Sequence, residues 1–73
     1  MAFAITETII DVVSLSEEEL DVLIDWLENI PAITVGLRRN GSSTTVIVAP
    51  EDQDDINWAH WGNVNAQIRQ RLA

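Results

Sequence analysis

The chain has 73 residues, twelve Asp or Glu against four Arg, a formal charge of −8, and no cysteine. That length holds one domain (1–73), and 47% hydrophobic with 22% charged residues is the make-up of a folded chain, not of a disordered acidic tail. The charge argues against direct contact with nucleic-acid phosphate and against anionic membrane surfaces, and the missing cysteines rule out disulfides and thiolate-held metals.

Met1-Ala2-Phe3-Ala4 carries no positive charge and opens no apolar run long enough for a signal peptide or membrane helix, so a cytoplasmic location is expected. From Ala2 to Val13 the chain is rich in Ile, Val and Thr, which predicts a strand, with helix as the competing reading. Phe3, Ile5 and Ile9 would share one face while Ile10 and Val12 take the other. Either that strand is apolar on both faces, or a bulge near Ile9-Ile10 resets its phase.

Ser16 followed by Glu19 is a capping box, and Leu15 before it with Leu20 after it forms a hydrophobic staple. A helix is therefore expected from Glu17 to about Asn29, ending by Ile30 because Pro31 follows. Leu20, Leu23, Ile24, Leu27 and Ile30 make its apolar stripe. Glu17, Glu18, Asp21, Asp25 and Glu28 fall within an arc of roughly 100° on the opposing side. Glutamates in the first turn suit the positive end of the helix dipole, so Glu17 and Glu18 have a partly structural explanation. Asp21, Asp25 and Glu28 do not. Like charges one turn apart repel by a few tenths of a kcal/mol, and no Lys or Arg is interleaved to relieve them.

Residues Ala32–Ala49 read as a hairpin around Asn40-Gly41. A two-residue turn there would pair Arg39 with Ser42, Leu37 with Thr44, Val35 with Val46 and Ile33 with Val48. Pro50 ends the second strand, and Glu51-Asp52-Gln53-Asp54-Asp55 reads as a helix start with Asp52 as its cap. Trp61, Val64, Ile68 and Leu72 then form a stripe with Trp58 at its margin. One helix through to Arg71 is expected; the alternative is a break at Gly62, with Asn63 capping a second helix.

The order β-α-β-β-α predicts a small α+β two-layer sandwich, a three-stranded sheet with two helices on one face. By analogy this is a ferredoxin-like unit without its last strand, which would leave the first strand at an open edge.

No catalytic group is expected. His60 is the sole histidine, and Ser42 and Ser43 beside it in a triad would need a placement nothing in the sequence supplies; they are ordinary turn residues. Asp52-x-Asp54 lacks the glycine and closing glutamate of a calcium loop, and the three glycines are isolated, so no phosphate loop is present. No cofactor and no metal site is expected.

What remains is a binding surface. The acids Glu17, Glu18, Asp21, Asp25 and Glu28, flanked by Val22 and Trp26, suit a protein partner with a basic surface, with Trp26 read equally as core or as exposed anchor. An inhibitor, antitoxin, immunity or adaptor protein would act this way, its carboxylates standing in for phosphates in one form of the idea. The alternative is a self-associating accessory domain, a homodimer through the Ala2–Val13 strand edge, whose acidic face serves solubility alone.

Overall fold

The computed structural model describes residues 6–73. Its elements are β1 (Thr8–Asp11), α1 (Glu17–Glu28), β2 (Ile33–Asn40), β3 (Ser43–Pro50) and α2 (Trp58–Leu72). The three strands form one antiparallel sheet in the order β1-β3-β2, as the ferredoxin-like analogy requires, with β1 and β2 at the two edges.

The first strand is shorter than expected. Thr6 and Glu7 lie outside it, and the segment from Ala2 to Ile5, with Phe3, lies outside the described residues. It ends at Asp11 because that carboxylate accepts the Val13 N–H at 3.1 Å, a local turn that draws the chain off the ladder. Val12 keeps one bond, from its N–H to the Thr44 carbonyl at 3.0 Å. Thr8 to Asp11 pair with Val48 to Thr45 without interruption, so there is no bulge. Ile10 and Val12 are buried and Ile9 is 61% exposed: the strand is apolar on both faces.

Ser16 and Glu19 form the capping box. The Ser16 hydroxyl accepts from the Glu19 N–H at 3.1 Å, and the Glu19 carboxylate accepts from the Ser16 N–H at 3.0 Å. The Ser16 N–H, and after it the Ser16 hydroxyl, hold the Glu19 carboxyl below its usual range. Leu15 is half-buried against the same cluster that buries Leu20, as the staple requires. Asn29 closes α1, its side-chain amide donating to the Asp25 carbonyl at 2.8 Å.

The hairpin is present, but its register is shifted by two residues. Asn40 pairs with Ser43, Leu37 with Val46, Val35 with Val48 and Ile33 with Pro50, so the turn is Gly41-Ser42. Gly41 has φ +63°, and Asn40 and Ser42 have none in that region. A two-residue loop with a positive φ at its first position alone is the type II′ form, which suits Gly followed by almost any residue. An Asn40-Gly41 loop of type I′ would have forced Asn40 to positive φ too. A shift of two leaves every side chain on its expected face, so the hydrophobic pattern tolerates both registers equally.

The acidic segment after β3 is not helical. Asp52 accepts from the Asp54 and Asp55 N–H groups at 3.1 and 3.2 Å, as a cap would, yet the helix starts six residues later. Asn57 is the cap, accepting from the His60 N–H at 3.2 Å. Ile56 packs against the core from this irregular stretch, which fixes the path. From Trp58 the helix runs unbroken through Gly62. Trp61, Val64 and Ile68 are buried, whereas Leu72 and Trp58 stand 46% and 51% exposed.

Both helices cover one sheet face. Leu20, Leu23 and Leu27 from α1, and Trp61, Val64 and Ile68 from α2, meet Ile10, Val12, Val46 and Val48 in a single cluster. The Thr8 hydroxyl donates to the Asn65 side-chain oxygen, tying β1 to α2. No helix among the described residues is long and apolar enough to cross a membrane.

Between α1 and β2, Ile30-Pro31-Ala32-Ile33 turns with Ala32 at φ 63°. Proline followed by positive φ is the type II pattern, where glycine is the usual occupant. The Ala32 carbonyl accepts from the Glu51 N–H at 2.9 Å and the Pro31 carbonyl from His60 Nε2 at 2.7 Å, which hold the strained residue in place. Ala32→Gly removes a left-handed cost of ~1–2 kcal/mol and adds a smaller backbone entropy, so a net gain of about 0.5–1 kcal/mol is expected in urea denaturation.

The cap gives a second expectation. Because the folded Glu19 carboxyl is held low, its contribution is complete at neutral pH and disappears as pH falls through the folded value. The stability gap between wild type and Glu19→Ala should therefore narrow as denaturation is repeated from pH 7 towards pH 3. A gap independent of pH would show that the charge on Glu19 contributes nothing.

Candidate functional site

The acidic arc of α1 is solvent-facing along its whole length. Glu17, Glu18, Asp21, Asp25 and Glu28 are all exposed, because the buried positions Leu20, Leu23 and Leu27 leave the opposite side of the rod to water. Val22 stands beside this arc, 55% exposed. Asp21 and Asp25 are one helical turn apart, about 6 Å along the axis.

Each flank of the arc carries one arginine. On the β2 side Arg39 Nη2 lies 3.4 Å from Glu17 Oε1, the one ion pair among the described residues. Both side chains are more than half exposed, at 57% and 78%, so the pair contributes little to stability and is readily exchanged. On the α2 side the Arg71 guanidinium sits 4.7 Å from the centre of the Trp26 ring, a cation–π contact. Trp26 is half-buried and packs against the core. Its place is thus between the two readings of the sequence: a wide core stripe on one edge, and a ring covered by arginine on the other.

Glu18, Asp21, Asp25 and Glu28 have no ion-pair partner among the described residues. Four carboxylates and one exposed valine therefore form a continuous strip with a single loosely held counter-charge at its end. Next to it, Leu15, Val22 and Leu72 line a shallow groove between α1 and the end of α2, rimmed by Glu18, Glu19 and Arg71.

The sequence places Leu72 on the apolar stripe of the last helix and gives Arg71 and Arg39 no part in the binding surface. Nothing in local spacing ties position 71 to position 26 or position 39 to position 17; the fold does that. The arginines of the last turn of α2 are, however, well placed for its negative dipole end.

Elsewhere the chemistry-bearing residues are dispersed. His60 Nε2 is engaged with the Pro31 carbonyl, and Ser42 and Ser43 lie at the hairpin turn and the start of β3. Asp52 is spent on its own turn. Among the described residues no group of three or more His, Asp or Glu is placed to hold a metal ion.

The strip is costly to the helix that carries it. The last turn of α1 has no basic residue and includes Glu28, whose charge opposes the dipole there. Glu28→Lys reverses that term and gains a favourable neighbour in Asp25, so stability should rise by about 0.5–1 kcal/mol in thermal or urea unfolding. An unchanged or lowered midpoint would show the acid to be structurally required.

No family model, curated protein or solved structure matches this chain.

Proposed function

We propose that the protein is a small acidic protein-binding module that docks through α1 on a basic surface of a larger protein, blocking or adapting it. The observation that carries this reading is the strip itself: four exposed carboxylates without a cationic partner among the described residues, next to an exposed Val22. Retaining Asp21, Asp25 and Glu28 costs the helix stability that an interleaved lysine would restore, and a binding role accounts for that cost. The net charge of −8 supplies a long-range field that draws in a basic partner and steers its approach.

Asp21, Asp25 and Glu28 would pair with partner cations, Glu17 by releasing Arg39 and Glu18 from the first turn. Val22 offers the apolar contact, and Trp26 widens it where Arg71 can swing aside. Carboxylates in a row along a helix can stand in for phosphates, so an inhibitor of a nucleic-acid-binding protein is one form of the partner.

A second reading, self-association, is favoured by a different observation, the sheet face that neither helix covers.

The docking reading is tested with the partner that co-purifies with the tagged protein from its native host. Its association rate is measured by surface-immobilised binding at low and moderate salt, for wild type and for Asp21→Lys/Asp25→Lys. Both positions are exposed, so the variant folds. Its association should be slower by about tenfold or more at low salt, with a flattened salt dependence. Equal rates at every salt concentration would remove α1 from the interface.

A further inference from the structure

Gly36 has no reason to be glycine within the monomer. It lies inside β2, its φ is not in the left-handed region, and a Cβ added there would meet nothing within 4 Å. Glycine weakens a strand interior and often marks a place where something outside approaches the backbone closely. Its side of the sheet is the one away from both helices.

That open face is ordered in rows. Ile9, Ile47 and Gly36 are aligned across the three strands, and Asp11, Thr45 and Arg38 form the next row. Each row is asymmetric in a complementary sense. The first has a 61% exposed isoleucine on the β1 side and an absent side chain on the β2 side. The second has a carboxylate on the β1 side and a guanidinium on the β2 side. Among the described residues Asp11 and Arg38 balance each other in the strand rows and Glu7 adds one charge at the end of the face, so this face holds little of the chain's charge of −8.

We infer that the open sheet face binds a second copy of this chain, face to face, about a twofold axis running nearly parallel to β3. Aligned sheets pack about 10 Å apart with strands within about 30° of each other. A twofold axis in that plane sets β1 of one copy against β2 of the other at the same height. Ile9 then fills the space over Gly36 of the second copy, and Asp11 meets Arg38 of the second copy, each contact made twice. Thr45 and Ile47 meet their own counterparts on the axis. Glu7, beside Ala49 and Thr34 at the end of the face, comes opposite a threonine hydroxyl and not another charge.

The helices occupy the other layer, so the acidic strips of the two copies point away from the interface. Three strands of this length cover an area near the lower bound of specific interfaces, roughly 1,000 Å² in total, which suits a dimer that dissociates in the micromolar range. The interface is separate from the α1 strip, so this inference and the docking proposal stand or fall independently.

Sedimentation velocity from about 1 to about 500 μM covers the transition expected for such an affinity. Wild type should pass from monomer to dimer. Gly36→Val fills the vacant position with a Cβ that meets nothing within 4 Å in its own chain, so it should stay folded, unfold no earlier than wild type, and dimerise at least tenfold more weakly. Arg38→Asp should also weaken the dimer, and Asp11→Arg/Arg38→Asp should restore most of the loss. Asp21→Lys/Asp25→Lys should dimerise as wild type does. A wild type that is monomeric at every concentration overturns the inference, as does a Gly36→Val protein that dimerises normally. So does a dimer broken by Thr8→Pro but indifferent to Gly36→Val, because it would be joined along the β1 edge.

Discussion

Val46 and Val48 have no solvent contact because two helices, a hairpin partner and the first strand all converge on the same stretch of β3. Every other arrangement in the molecule follows from covering that strand on one side. Leu27 of α1 and Trp61 of α2 close over it from above, Ile33 and Val35 extend it towards one edge, and Ile10 extends it towards the other. No polar side chain is buried in this cluster. Its cohesion is therefore apolar and non-directional, and direction comes from the edges: the Ser16–Glu19 cap, the Gly41 turn and the Thr8–Asn65 bond.

Using only one side of the sheet divides the surface into two unlike regions. The helix layer carries the acidic strip, with Arg39 and Arg71 drawn to its margins. The opposite side carries few charges and is moderately apolar. A partner recognised by charge and a partner recognised by shape can therefore be accommodated at once. If both proposals hold, the assembly presents two acidic strips on opposite sides, and a target with two basic sites would gain avidity from their fixed separation.

Features encoded within one turn of chain were legible from the residues. Ser16 and Glu19 specify the start of α1, and the 3.6-residue period of Leu20, Leu23 and Leu27 specifies which side is buried; the exposure of Asp21 and Asp25 follows from the same period. The hairpin and the buried stripe of α2 were legible for similar reasons. Hairpin register was not, because alternation repeats every two residues and a slip of two moves no side chain to the other face; the deciding factor was that one glycine, Gly41, can serve a type II′ loop alone. At Asp52 an Asx turn and a helix cap use the same hydrogen bonds, and the packing of half-buried Ile56 against the core separates them. The extent of β1 depended on one side-chain bond from Asp11. Arg39 on Glu17 and Arg71 over Trp26 join residues far apart in sequence, and those neighbours exist only once the layers have packed.

The sheet order has a kinetic side. The hairpin of β2 and β3 closes through a two-residue loop, and α1 is nucleated by its own cap, so both can form early from local contacts. The first strand must instead find residues 45–48 of β3 after the intervening chain has been ordered, and among the described residues it is held to the sheet by four paired residues and the Val12 N–H bond. It is thus the piece of the sheet most exposed to transient detachment, and amide exchange there should outrun the hairpin while the remaining layers stay closed. Brief departures of that kind would uncover the inner ladder of β3, the point at which proteolysis or strand exchange would gain entry.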